Sequence, residues 1–362
     1  MPFERTAYQT RLSRLCSSSF FQGEIQALIL FDLNNIRYLT GFSGSDGVLV
    51  IRPPTAILLV DGRYVTQAQE EAQDTDLYHY QDKVDGIEAV LEPKDGDRIG
   101  FEASAVSYEF YQKLADRLRE ERLKPLSEEL NNLRAVKDDD EVSCIRRAAE
   151  LAGGVLEAVA RTIRPGISER DLALEIDFGA KRAGAERMAF ETIVASGANA
   201  ALPHAKPGRK ILEYGDLIVV DYGVVSEGYC SDETCTFCLG SADDRKREIY
   251  ARVKESHDQA LEAIRPGVPC SRIDQIARSC LAKYGLDGYF THGTGHGVGL
   301  EVHEAPRISR NSDTILVEGM VVTIEPGVYL PGQWGIRIED TVLVHENGAD
   351  ILTKMPKDFI IL

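Results

Sequence analysis

YGDLIVVDYG at 214–223 returns as EGMVVTIEPG at 318–327, and the correspondence runs on in both directions. Upstream of each copy stand IRPG (163–166 and 264–267) and a His-containing segment, PHAKP (203–207) or VHEAP (302–306); downstream come CSDET (230–234) and RIEDT (337–341). Laid over each other, His204 answers His303, Asp221 answers Glu325, and Asp232 answers Glu339. Self-similarity of this kind marks a duplication. The carboxylates accompany apolar runs that read as buried strands, and a buried carboxylate must be paired or bound to metal. Two α/β halves related by an approximate two-fold, with strands converging at the centre, would bring the acidic residues face to face. A metal site is the expectation.

Working outward, each copy opens with a long helix that ends towards Arg-Pro-Gly, where Pro165 and Pro266 forbid continuation and Gly166 and Gly267 allow the turn. A second helix follows in each, RDLALEIDFGAKRAG and RIDQIARSCLAKYG. The acidic run KDDDE before the first long helix reads as a helix entry with carboxylates at its positive end. This duplicated domain is predicted over 135–362. Residues 1–130 read as a separate α/β domain with strands at 25–31, 47–51 and 56–60 and helices from about Tyr64 through Glu71 and near Tyr108–Glu121. YLTGFSGSDG, between the first two of those strands, fails the spacing of a phosphate loop and reads as a turn. The fold class is therefore α/β (α+β) in two domains, which also suits 362 residues.

Forty-one basic against 58 acidic side chains, a net charge of −17, argue against nucleic-acid or anionic-membrane surfaces, which call for Lys/Arg patches. No apolar run approaches a bilayer span and the start lacks a signal-peptide pattern, so a cytoplasmic protein is expected. Seven scattered cysteines suit a reducing compartment. Cys230, Cys235 and Cys238 have the C-x4-C-x2-C spacing of some iron–sulfur proteins, but strand alternation would send Cys235 and Cys238 to opposite faces, so packing is the better reading.

Asp221, Asp232, Glu325 and Glu339, with His296 of HGTGHGVG, form a mainly oxygen donor set that suits Mn²⁺, Co²⁺, Fe²⁺ or Zn²⁺. Two divalent ions would balance the four carboxylate charges. Two metals about 3.5–4 Å apart can activate water, polarise a carbonyl and clamp a tetrahedral intermediate, which amounts to amide or ester hydrolysis without a covalent enzyme intermediate. His204 and His303 are then free to stabilise the oxyanion or pass a proton to the leaving nitrogen. His292 and His296 are four apart, as in a zincin helix, but Gly293 stands where that motif needs Glu and the surrounding glycines oppose a helix. Ser196 lacks the G-x-S-x-G elbow of a serine nucleophile.

HGTGHGVG with VHEAP, TIEPG and RIED, preceded by PHAKP and VDYG…SDET, resembles the pita-bread-fold metallopeptidases: methionine aminopeptidases, Xaa-Pro aminopeptidases, prolidases and the metal-free creatinases. YLTGFSGSDGVLVI…LLVDGRY also resembles the accessory N-terminal domain of the proline-specific members. The resemblance implies a dinuclear centre held by Asp221, Asp232, His296, Glu325 and Glu339. It makes Glu325 the general base, gives His204 and His303 the shuttle and stabilising roles, and assigns His292, Arg337 and Tyr329 to the substrate side. It further implies an Xaa-Pro aminopeptidase with manganese as the foremost metal, acting as a homodimer on peptides with proline second, with Arg63 and Tyr64 as candidates to reach a neighbouring active site. A prolidase restricted to Xaa-Pro dipeptides is the alternative, and a non-catalytic scaffold of the same fold a third reading.

Overall fold

A computed structural model describes residues 6–127, 130 and 132–362, and the chain divides into two compact units, 1–133 and 134–362. In the first unit, strands β1 (Ala27–Leu30), β2 (Val48–Arg52), β3 (Thr55–Val60), β4 (Asp76–His79), β5 (Ile99–Glu102) and β6 (Leu123–Leu126) make one sheet in the order β4-β3-β2-β1-β5-β6. Helices α1 (Ala7–Cys16), α2 (Leu33–Thr40), α3 (Val65–Glu71), α4 (Lys83–Leu91) and α5 (Tyr108–Leu118) accompany it. β1, β2, β3 and β5 supply Ala27, Ile29, Val48, Val50, Leu59, Ile99 and Phe101 to the core. One feature departs from the sequence reading. The stretch between the first two strands holds helix α2, which Asp32 caps by accepting from Asn34 and Asn35 N–H and Gly41 ends at φ 84°; only 41–47 is loop. Arg63 is engaged within its own unit by Asp61, at 2.7 Å, and by Asp46.

The second unit is built twice, as the repeat predicts. Its first half has α6 (Asp139–Ala160), α7 (Glu169–Ala183), β7 (Arg187–Met188), β8 (Ile193–Ser196), β9 (Leu217–Tyr222), β10 (Val224–Ser226), β11 (Tyr229–Cys230) and β12 (Glu233–Cys238). Asp138 and Glu141 form a capping box at the start of α6, satisfying backbone donors at the acidic entry. The second half has α8 (Asp244–Glu262), α9 (Cys270–Ala282), β13 (Gly295–Gly297), β14 (Glu304–Ile308), β15 (Val321–Ile324), β16 (Gly327–Leu330), β17 (Trp334–Arg337), β18 (Asp340–His345) and β19 (Gly348–Ile351). The sheet order β12-β9-β8 of the first half matches β18-β15-β13 within the five-stranded β14-β13-β15-β18-β19 of the second. Each half has its own apolar core. One is centred on Leu156, Leu172, Ile176, Val220 and Phe237, the other on Val253, Ile273, Leu281, Val322 and Val342.

The two ladders differ in register. Asp221 stands opposite Thr234, whereas Ile324 stands opposite Asp340, a slip of two residues relative to the repeat. A slip of two leaves every side chain on its original face, since the strand period is two. Asp232 and Glu339 therefore keep the same orientation, each one residue ahead of its strand.

Candidate metal centre

Asp221 lies in β9, Asp232 just before β12, Glu325 just after β15 and Glu339 just before β18, while β13 carries His296. β9 and β12 pair antiparallel, and the hairpin of β10 and β11, turning at Glu227 and Gly228, joins them. Asp232, His296 and Glu339 each offer a ligand atom, all within 4.8 Å of one another. His296 Nε2 lies 3.6 Å from Asp232 Oδ2 and 3.5 Å from Glu325 Oε1, and His292 Nδ1 is 3.8 Å from Glu325 Oε2. Asp221 takes a different partner, the Arg337 guanidinium.

The halves hold each other's acidic residues. Thr234 Oγ1 donates to Glu339 Oε2 at 2.7 Å, Thr341 Oγ1 donates to the Asp232 carbonyl at 2.7 Å, and Glu339 N–H donates to the Thr234 carbonyl at 3.2 Å. These two threonines occupy the same place in CSDET and RIEDT, so the repeat carries a signal for them that the sequence reading did not use. Thr323 Oγ1 accepts from His296 N–H at 3.1 Å, and Thr294 O accepts from Glu325 N–H at 2.8 Å.

Arg337 is 3% exposed, and its guanidinium is taken up by Thr234 Oγ1 at 3.2 Å, the Pro203 carbonyl at 3.1 Å, Tyr329 Oη at 2.7 Å and Asp221. The carboxylate it meets is thus Asp221. Tyr329 Oη also lies 2.8 Å from His292 Nε2, forming a chain Asp221–Arg337–Tyr329–His292 along one wall. The His296 and His303 rings meet edge to face at 4.3 Å, and both His204 and His303 are exposed residues.

The electrostatics state what this cluster lacks. Burial, reinforced by neighbouring carboxylates, pushes Asp232 and Glu339 well above the ordinary carboxylate range, and burial lifts Glu325 to about 8 against the opposing pull of the Arg337 guanidinium. Burial lowers His296 to about 4 and His292 to about 3, so both imidazoles are neutral and able to ligate or accept. Among the described residues, the buried Asp221 Oδ1 finds no hydrogen-bond donor. Clustered buried carboxylates, an orphaned carboxylate oxygen and a neutral imidazole form a donor set that fits divalent cations. Cys230 and Cys235 contribute nothing of this kind: burial holds both thiols up at about 12. Ser196 is fully buried, and its hydroxyl donates to the buried Glu169 carboxylate at 2.9 Å.

Residues 143–346 match Metallopeptidase family M24, and residues 14–136 match the Creatinase/Prolidase N-terminal domain. The Xaa-Pro dipeptidase of Pyrococcus furiosus is 38% identical over 327 residues, covering 90% of this chain and 92% of that protein. Among solved structures, the Xaa-Pro dipeptidase from Bacillus anthracis superposes with a TM-score of 0.94 at 35% identity, over 98% of this chain and 100% of that one. The X-Pro aminopeptidase from Thermotoga maritima superposes at 0.89 with 33% identity, over 97% and 100%.

Proposed function

The chain belongs to metallopeptidase family M24, and we propose that it is an Xaa-Pro dipeptidase that hydrolyses the bond between a first residue and a C-terminal proline. The observation that carries the hydrolytic part of this reading is the buried cluster in which Asp232, His296 and Glu339 present ligand atoms within 4.8 Å. The preference for dipeptides over longer peptides rests on the names of the relatives, the Pyrococcus furiosus and Bacillus anthracis proteins being Xaa-Pro dipeptidases. The aminopeptidase reading keeps the support of the Thermotoga maritima neighbour.

In this reading Asp221, Asp232, His296, Glu325 and Glu339 hold two divalent ions, manganese foremost, which when bound supply a Lewis acid and an activated water. Arg337 orients Asp221 and, through Tyr329, steadies His292 beside the scissile bond. Glu325 is in this reading also the general base toward the activated water. His204 and His303, both exposed, are in this reading the groups that pass a proton to the leaving proline nitrogen. An Xaa-Pro bond has no N–H to grip and its ring restricts the preceding residue, so electrophilic pull matters more here than backbone recognition. We further propose a cytoplasmic homodimer. Seven unpaired cysteines support the compartment, and no described helix is long and apolar enough to cross a membrane. The dimer follows from the resemblance to the family.

The test compares Ala-Pro with Arg-Pro-Pro as substrates of the Mn²⁺-loaded enzyme. We expect Ala-Pro to be cleaved, the tripeptide to survive, and chelation to abolish turnover. Cleavage of Arg-Pro-Pro at a comparable rate would return the enzyme to the aminopeptidases, and turnover that survives chelation would remove the metal from the reaction.

A further inference from the structure

The duplicated acidic motif has a second product. In SDET and IEDT two acidic residues are adjacent, so when Asp232 and Glu339 face the metal centre, Glu233 and Asp340 face the other way. Both are buried, at 0% and 3% exposed, and they converge on a single ammonium. Lys357 Nζ lies 2.5 Å from Glu233 Oε1 and 3.4 Å from Asp340 Oδ1. Lys357 comes from the C-terminal segment, which follows β18 and lies far in sequence from β12, and is itself buried. Further polar groups approach both carboxylates. Met355 N–H, at 2.9 Å, and the Tyr222 hydroxyl, at 3.2 Å, donate to Glu233. The Thr353 hydroxyl donates to Asp340 at 2.5 Å, and Asp340 Oδ2 lies 3.3 Å from His257 Nε2.

An ammonium and two carboxylates buried together carry a large desolvation cost, and apolar residues of similar size often serve stability as well or better. The triad does, however, join the first residue of β12 to the first residue of β18, one from each half. The ligand candidates Asp232 and Glu339 are the residues immediately before them. No other charged side chain among the described residues pairs with both strands behind the centre.

Building on the ligand set proposed above, we propose that Lys357 is a positioning residue of the metal centre: by holding Glu233 and Asp340 on one cation, it sets the spacing of Asp232 and Glu339. The centre then has two tiers on the same pair of strands, metal on one face and a fixed protein cation on the other.

The two obvious accounts of Lys357 predict opposite signs. If the ammonium mattered only through its charge, removing it would strengthen the attraction of the site for a divalent cation. If it positions the ligands, removing it weakens binding. The experiment is calorimetric titration of Mn²⁺ into metal-stripped full-length protein, for wild type, Lys357→Met and the charge-neutral pair Glu233→Gln/Lys357→Met, with thermal unfolding of each metal-free protein. The double variant removes one positive and one negative charge together, while Asp340 retains the Thr353 hydroxyl as donor and the His257 ring at 3.3 Å, and it is expected to fold with a midpoint near that of wild type. Both variants should bind Mn²⁺ about tenfold or more weakly, the size of effect typical of groups that orient ligands. A folded variant with unchanged or tighter Mn²⁺ binding overturns the inference while leaving the ligand assignment intact. A wild-type chain that takes up no Mn²⁺ overturns the ligand assignment and this inference with it.

Discussion

Gly295 has no room for a side chain: a Cβ there would lie 1.9 Å from the Thr323 carbonyl oxygen of β15. Gly297 and Gly299 are as confined, at 2.2 Å from the Ala305 carbonyl oxygen and 2.4 Å from Glu304 Oε2. The four glycines of HGTGHGVG alternate with His292, Thr294, His296 and Val298, and β13 occupies the middle of the motif, with its pairing to β14 shifting register between His296 and Gly297. Those glycines let β13 approach its neighbours closely and hold His296 at the acidic cluster. The sequence reading used them only to reject a helix, although their even spacing already argued for an extended strand. Gly295→Ala should displace β13 from β15, lowering stability by about 1–3 kcal/mol in urea unfolding and weakening Mn²⁺ uptake. An unchanged urea midpoint would contradict the close approach.

At the scale of elements, α9 governs a segment it does not contain. The Arg278 guanidinium donates to the Phe290 carbonyl at 2.7 Å and to the His292 carbonyl, and its Nε donates to Asp274 at 2.8 Å. Asp274, fully buried, accepts in turn from the Thr294 hydroxyl at 2.9 Å. The stretch carrying His292 is thereby fastened to a helix on both sides of the imidazole. Arg278→Met should leave Mn²⁺ stoichiometry unchanged while lowering kcat/KM on Ala-Pro by up to about 10²-fold, since misplacement by an ångström costs that much. Loss of metal together with activity would show that the clamp serves the centre instead. Elements also show where sequence patterns ran out. Helix α2 contains two adjacent asparagines, which are poor helix formers, and its length is below what stands alone. Burial of Ile36, Tyr38 and Leu39 stabilises it, and no local pattern encodes that burial.

For the whole molecule, the acidic cluster predicts how stability responds to pH. A carboxyl whose proton affinity is raised by folding stabilises the native state fully below its unfolded pKa of about 4.3, and that contribution is lost as pH rises through the folded value; for Glu325 that value is about 8. Asp232 and Glu339 shift in the same direction. His292 and His296, lowered to about 3 and about 4, act oppositely. Their contribution is complete above about 6.5 and fades only on acidification. Between about pH 6.5 and 8 the carboxyls are therefore unopposed within the cluster. The metal-free protein should lose stability over that range, by at most ~1.4 kcal/mol per pH unit for each proton released. Saturating Mn²⁺ should reverse the slope, because metal binds the deprotonated ligands. Urea midpoints at pH 6.5 and 8, with chelator and with Mn²⁺, measure this directly; equal slopes in the two conditions would count against the cluster as a metal site. The amino-acid sequence by itself determined the duplication, the matched acidic residues and the face each would take, because repeat and strand period are local properties of the chain. Only the tertiary structure decided that Arg337 engages Asp221, that Arg278 clamps the His292 segment, and that one lysine sits behind both halves. The contacts of Arg337 with Asp221 and of Lys357 with Glu233 join residues more than a hundred positions apart, and the Arg278 clamp runs from a helix to backbone carbonyls; packing selects such partners and no motif in the chain announces them.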